Sequence, residues 1–268
     1  MIEFEGTPVR RVDVSGTRFY YKQEQEDLPW EEKIKAPSVT SIIDDVLAKG
    51  YGFNKWLGDS ASFESAMAYG KETALVGTIV HSFADRMVQG ETINLPAFKG
   101  DTTPDSAFYD SHSEEIEEVW PRIKPITNRL VGFKKFWAEK SPEPIATEVS
   151  LFDPLFAGTI DLVAKLKFNR KERRAMIDYK TGKDVDAYGK GLQLTAYKEL
   201  WDKLFPEEPI ELLFNLFLGE KGGYTLVRRE FNPEGWRSMV ELWYNRYPNP
   251  PKEPVKLPTT FTLEEEDE

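Results

Sequence analysis

Three strand-forming runs, Ile145 to Phe152, Phe156 to Lys165 and Ala175 to Lys180, succeed one another along the chain and read as a strand, its hairpin partner and a third neighbour. Two of them carry charge inside apolar sequence. The second holds Gly158-Thr159-Ile160-Asp161, and the third, seventeen residues after Asp161, holds Asp178 in Ile177-Asp178-Tyr179-Lys180-Thr181-Gly182. Side chains alternate across a strand, so Asp178 and Lys180 share one face while Ile177 and Tyr179 take the other. If Asp161 ends its strand of the hairpin, its carboxylate can meet that of Asp178. Two hard oxygen ligands beside one lysine suit Mg²⁺ or Mn²⁺, and the chemistry such a group serves is phosphodiester hydrolysis.

Around these strands the pattern is mixed. Val9 to Val14 and Thr17 to Lys22 flank Ser15-Gly16 and predict an N-terminal β-hairpin, with a polar loop from Gln23 to Lys35. Pro37-Ser38-Val39-Thr40-Ser41 offers hydroxyl caps for a helix through Ile42 and Leu47, and the same helix start can hold a phosphate through Ser38 and Thr40. Helical periodicity runs from Phe53 to Gln89, with Leu75, Ile79, Phe83 and Met87 four residues apart and His81 off that stripe. A surface loop over Pro96 to Ser113 precedes a helix from Ser113 to Lys140, broken at Pro125. After the three strands come a helix over Gly189 to Leu204, strands over Ile210 to Leu218 and Tyr224 to Phe231, and a helix opened by Asn232-Pro233. The expected fold is α/β, a mixed central sheet flanked by helices with an N-terminal helical region, in a single domain over residues 1–247. Within it, residues 1–36 are hairpin and loop, 37–140 helical and 145–247 the α/β core. Residues 248–268 form a Pro-rich, acidic tail expected to be disordered or docked on a partner.

The chain has no cysteine, which excludes disulfides, thiolate zinc sites and cysteine-ligated iron–sulfur clusters; any metal must sit on Asp, Glu, His or carbonyl oxygen. No apolar run approaches the roughly 20 residues that span a bilayer, and the first residues lack a secretory pattern, so no membrane partner and an intracellular location, in a bacterial or phage-infected cell, are expected. A formal charge of -11 argues against indiscriminate coating of nucleic acid and makes local clusters of positive charge more informative. The densest is Lys165, Lys167, Arg170, Lys171, Arg173 and Arg174, which reads either as a phosphate-binding tip near the metal or as a solvated turn that blunts edge pairing.

Taken in order, Gly77-x-x-x-His81, Glu148, Gly158-Thr159-Ile160-Asp161, Ile177-Asp178-Tyr179-Lys180 and Gln193-x-x-x-Tyr197 resemble the RecB-like branch of the PD-(D/E)XK nucleases. With Pro37-Ser38-Val39-Thr40 upstream and no cysteine, the chain is similar to the mitochondrial genome maintenance and phage exonucleases of that branch rather than to its iron–sulfur members. The likeness extends over roughly Pro37 to Leu218. It implies a restriction-endonuclease-like core in which His81, Asp161, Asp178 and the Tyr179 carbonyl ligate Mg²⁺ or Mn²⁺ and Lys180 orients the attacking water. It also implies that Gln193 and Tyr197, one helical turn apart, hold Lys180 or a DNA phosphate. Glu148 stays open between a further ligand, a group supporting Lys180 or a bound water, and a structural residue.

The activity implied is a metal-dependent DNA exonuclease acting on single-stranded or duplex ends, with the helical region walling the sheet so that a strand threads in. The rivals are a flap endonuclease and a non-catalytic nucleic-acid-binding module that keeps the fold. The acidic tail is a candidate contact for a replication or recombination protein.

Overall fold

The structure is a computed structural model that describes residues 6–48, 58–95, 122–182, 188–249 and 251–252. The chain opens with β1 (Val9–Val14) and β2 (Thr17–Lys22), joined through Ser15 and Gly16, both with positive φ. Such a two-residue turn matches the right-handed twist of the strands it connects. Alternation then sorts the hairpin. Val12, Val14 and Phe19 pack into the main core, while Arg11, Arg18 and Tyr20 lie on the other face. A two-residue strand, β3 (Ala36–Pro37), pairs with β2 and leads into α1 (Val39–Val46), whose N-cap Ser38 accepts a hydrogen bond from Ser41 N–H.

Two longer helices, α2 (Phe63–Val88) and α3 (Ile123–Lys140), pack on each other. Pro125 sits in the first turn of α3. There its missing N–H costs nothing, because the first turn has no intrahelical acceptor for it. The expected loop at 96–113 and the helix start at Ser113 lie outside the described residues.

The central sheet has the order β4-β5-β6-β7-β8, formed by β4 (Glu143–Asp153), β5 (Phe156–Phe168), β6 (Lys171–Lys180), β7 (Leu212–Leu218) and β8 (Tyr224–Arg229). All neighbours are antiparallel except β6 and β7, which run parallel and are linked through α4 (Tyr188–Leu204). A parallel pair needs such a crossover, and its strands are covered on both faces. Every residue of β7 is buried accordingly. Helices α1, α4 and α5 (Pro233–Arg246) cover one face around Trp201 and Trp236, and α2 and α3 cover the other around Phe133 and Phe136. The described helices of 37–140 are therefore divided between the two faces of the sheet. Asn232 caps α5 by accepting from Gly235 N–H at 3.0 Å, with Pro233 in the first turn.

Nothing is described for 253–268, where most of the expected tail falls. Just before it, Pro251 accepts a hydrogen bond from Trp30 Nε1 at 2.8 Å. No helix among the described residues is long and apolar enough to cross a membrane.

Candidate active site

Strands β5 and β6 pair regularly from Phe168↔Lys171 as far as Leu162↔Ile177, and there the ladder stops. Two residues further along β6, Tyr179 N–H donates not to a backbone carbonyl but to Asp161 Oδ2, at 2.6 Å. The strands thus fork around a carboxylate. Because the N–H and C=O of one strand residue point to the same side, the Tyr179 carbonyl also faces the fork. Asp161 lies within β5 rather than at its end, and the fork, not a chain terminus, frees its side chain.

The opposite strand contributes by a different device. Glu148 stands in the middle of β4 with φ of +48°, a left-handed conformation that costs a non-glycine residue about 1–3 kcal/mol. Its neighbours Thr147 and Val149 stay in register with Leu162 and Ile160, so the twist is local to Glu148. The result brings ligand atoms of His81, Glu148 and Asp161 within 4.8 Å of one another. His81 arrives from α2, with Nδ1 3.3 Å from Asp161 Oδ1 and its ring edge-on to Tyr179 at 5.6 Å. Gly77, one turn before it, leaves room for the chain after β6: a Cβ there would lie 3.1 Å from Thr181 Oγ1.

Asp178 is fixed separately. Lys180 Nζ donates to its Oδ1 at 2.9 Å and Asn215 Nδ2 to its Oδ2 at 2.7 Å, while Arg229 Nε donates to Asn215 Oδ1 at 2.6 Å. Lys180 Nζ also donates to Gln193 Oε1 at 3.0 Å, and Gln193 Nε2 donates to Tyr197 Oη at 3.2 Å. The lysine is therefore held between β6 and α4. Gly158 makes the approach of α4 possible, since a Cβ there would stand 2.5 Å from the Tyr197 ring.

These groups line one cleft of about 600 Å³, with Arg11, Arg18, Ser38 and Thr40 along the wall made by the hairpin and the start of α1. Burial shifts the titrating groups. Desolvation lowers His81 but is outweighed by the Asp161 carboxylate, which raises the imidazole to about 9. Desolvation and the charge of Asp161 push Glu148 up to about 7. Asp178 is raised by its burial, with Lys180 working against the shift, whereas Asp161 is held low by His81 in spite of its own burial. Two carboxylates and one imidazole gathered in this way offer a donor set that fits a divalent cation. Asp178 stands outside the trio, with both its oxygens already accepting hydrogen bonds.

The site residues expected from sequence separate into two sets. His81, Glu148, Asp161, Asp178, Lys180, Gln193, Tyr197, Ser38 and Thr40 share the cleft. Lys165, Lys167 and Arg170 do not. At roughly 3.3 Å per residue, β5 carries them about 13 Å, 20 Å and further from Asp161, toward the Asn169-Arg170 turn. Ion pairs consume part of that cluster, Lys165 with Glu143 at 3.5 Å, Arg173 with Glu211 at 3.6 Å and Arg174 with Glu208.

Four side chains of the site were missed. Asp85 follows His81 by one helical turn and accepts from Thr147 Oγ1 at 2.7 Å; the i, i+4 spacing was the available signal. Asn215, a lone amide in Leu-Leu-Phe-Asn-Leu-Phe-Leu, was visible as a polar residue inside a buried strand. Arg11 and Arg18 carried no local signal at all.

The profile of the PD-(D/E)XK nuclease superfamily matches residues 61–246. The chain belongs to that superfamily. Membership implies nuclease activity, in a family whose enzymes use divalent metal ions, and the forked β5–β6 pair with its helix-flanked five-stranded sheet is consistent with the family core. A comparison with curated proteins finds no match. Among solved structures the chain is similar to one described as the crystal structure of SSO0001, at 15% identity over 55% of this chain and 72% of that one, with a TM-score of 0.29. A likeness that low carries no argument about fold or function.

Proposed function

We propose that the protein is a metal-dependent DNA exonuclease of the RecB-like branch, hydrolysing phosphodiester bonds at single-stranded or duplex ends. The observation that carries this reading is the placement of Lys180 beside Asp178 and across one cleft from the His81, Glu148 and Asp161 trio. Charges of this kind have no packing role that would gather them in a cleft. His81, Glu148 and Asp161 would hold a Mg²⁺ or Mn²⁺ ion, with the Tyr179 carbonyl facing the same fork. A bound divalent ion supplies a Lewis acid for the phosphate and a more acidic water.

The protein's own groups do the rest. Asp178 and Gln193 aim the Lys180 ammonium, which offsets charge growing on the phosphoryl oxygens and orients the nucleophile. Asn215 and Arg229 keep Asp178 from turning away. Tyr197, buried against Gly158 and bonded to Gln193, keeps the amide oriented toward Lys180.

The end-directed part of the reading rests on the cleft walls: the hairpin and α1 on one side, α2 and α4 on others, which suit a strand that threads in. End-labelled linear and covalently closed single-stranded DNA, incubated with Mg²⁺, with Mn²⁺ and with chelator, separate the alternatives. The linear substrate should be degraded with either ion and the closed circle spared. Cleavage of the circle would make the protein an endonuclease.

A further inference from the structure

We propose that Arg11 and Arg18 of the N-terminal hairpin form a phosphate-binding subsite that grips the substrate strand beside the reacting bond. The inference rests on the nuclease reading of the cleft and adds a recognition element outside the superfamily match, which begins at residue 61.

Both arginines line the cleft that holds His81, Asp161 and Lys180. In the hairpin register Arg11 faces Tyr20 and Arg18 faces Asp13, so the two arginines are diagonal neighbours on one face. Diagonal positions lie roughly 7–8 Å apart, within reach of a single phosphate for side chains this long. Neither guanidinium has a carboxylate partner among the described residues. Asp13, directly across from Arg18, is not within ion-pairing distance, and Arg18 Nε is buried with no hydrogen-bond partner. Arg10 differs sharply: it projects from the opposite face and pairs with Glu26.

The backbone of Arg18 is fixed at both ends. Its N–H donates to Ser41 Oγ at 3.1 Å, and its carbonyl accepts from Ser38 N–H at 2.8 Å. Ser38 in turn bridges to Ala157, next to Gly158. The hairpin is thereby tied to the strand that carries Asp161, and the arginines are held at a set place relative to the reacting centre.

Electrostatics favour such a pair. The cleft also presents Asp85, Glu148, Asp161 and Asp178, in a chain of formal charge -11, and these repel an anionic strand. A guanidinium is always charged, and its planar fork matches phosphate oxygens. Two such groups without partners, facing four carboxylates across one cleft, are arranged to receive an anion. The phosphate is either a terminal monoester or a backbone diester of the bound strand.

The test compares wild type with Arg11→Gln, Arg18→Gln, the double variant and Arg10→Gln, which removes the same charge from the other face. Affinity for a fluorescent single-stranded oligonucleotide is read by anisotropy in chelator across a salt series, and KM and kcat are read on 5′-phosphoryl and 5′-hydroxyl strands with Mn²⁺. The double variant should bind about tenfold or more weakly, with KM raised and kcat little changed. Its plot of log affinity against log salt should flatten by about 0.7 or more, one phosphate contact's share on a single strand. Arg10→Gln should match wild type. A loss confined to 5′-phosphoryl strands assigns the subsite to a terminal monoester, and an equal loss on both to a backbone diester. A double variant that behaves like Arg10→Gln overturns the subsite while wild-type hydrolysis leaves the nuclease reading intact. Loss of affinity in a protein whose wild type cuts no nucleic acid would overturn the nuclease reading instead.

Discussion

At the scale of single residues, His81 and Glu148 tie cation binding to pH. The Asp161 carboxylate raises His81 above the ordinary histidine range to about 9, so without a bound cation its proton stays on through neutral pH and is lost as pH climbs through 9. The ion pair's contribution to stability is present in full below about 6.5 and fades over that same interval. A cation must displace this proton, and below about 7 one on Glu148 as well. Mn²⁺ affinity should therefore rise about tenfold per pH unit from 7 to 9, more steeply below 7, and level off above 9. Titration calorimetry from pH 6 to 10 reads this directly, and a flat profile would remove His81 from the ligands. Asn215 makes a second residue-scale prediction. Asn215→Leu removes a hydrogen bond to the buried Asp178 carboxylate, and should cost about 1–3 kcal/mol in urea unfolding. An unchanged midpoint would mean that the amide is not holding the carboxylate.

Elements meet at the site through close approaches that single substitutions can block. Gly158→Ala would put a Cβ 2.5 Å from the Tyr197 ring, so the ring must swing and release Gln193 from its set orientation. We expect kcat to fall tenfold or more while Mn²⁺ affinity holds, since the trio on α2, β4 and β5 is untouched. Wild-type turnover in Gly158→Ala would show that α4 does not position Lys180. Much of this scale was legible in the sequence. The hairpin bounds Val9–Val14 and Thr17–Lys22 and the start of α5 at Asn232-Pro233 follow from local turn and cap chemistry, and the structure keeps them. The left-handed Glu148 was not legible, because it arises where β4 pairs with β5, a contact distant in sequence, rather than from its neighbours in sequence. Pro125 falls in the first turn of the described helix, whose start lies two residues before it.

For the whole molecule, charge could be counted in the sequence but not placed. The basic run from Lys165 to Arg174 stood out by density, yet strand length carries it away from Asp161, and Glu143, Glu208 and Glu211 neutralise part of it. Arg11 and Arg18, unremarked in a mixed hairpin, reach the cleft only because β3 and Ser38 dock that hairpin beside β5. The fork between β5 and β6 was partly visible as two carboxylates and a lysine at hairpin spacing; the stop in the ladder that exposes Asp161 was not. The most direct test is hydrolysis of end-labelled linear DNA by wild type and by Asp161→Ala, each with Mg²⁺, with Mn²⁺ and with chelator. Label should be released by wild type with a divalent cation, and by neither protein otherwise. Hydrolysis that survives Asp161→Ala, or that proceeds in chelator, would contradict a cation-dependent centre at the fork.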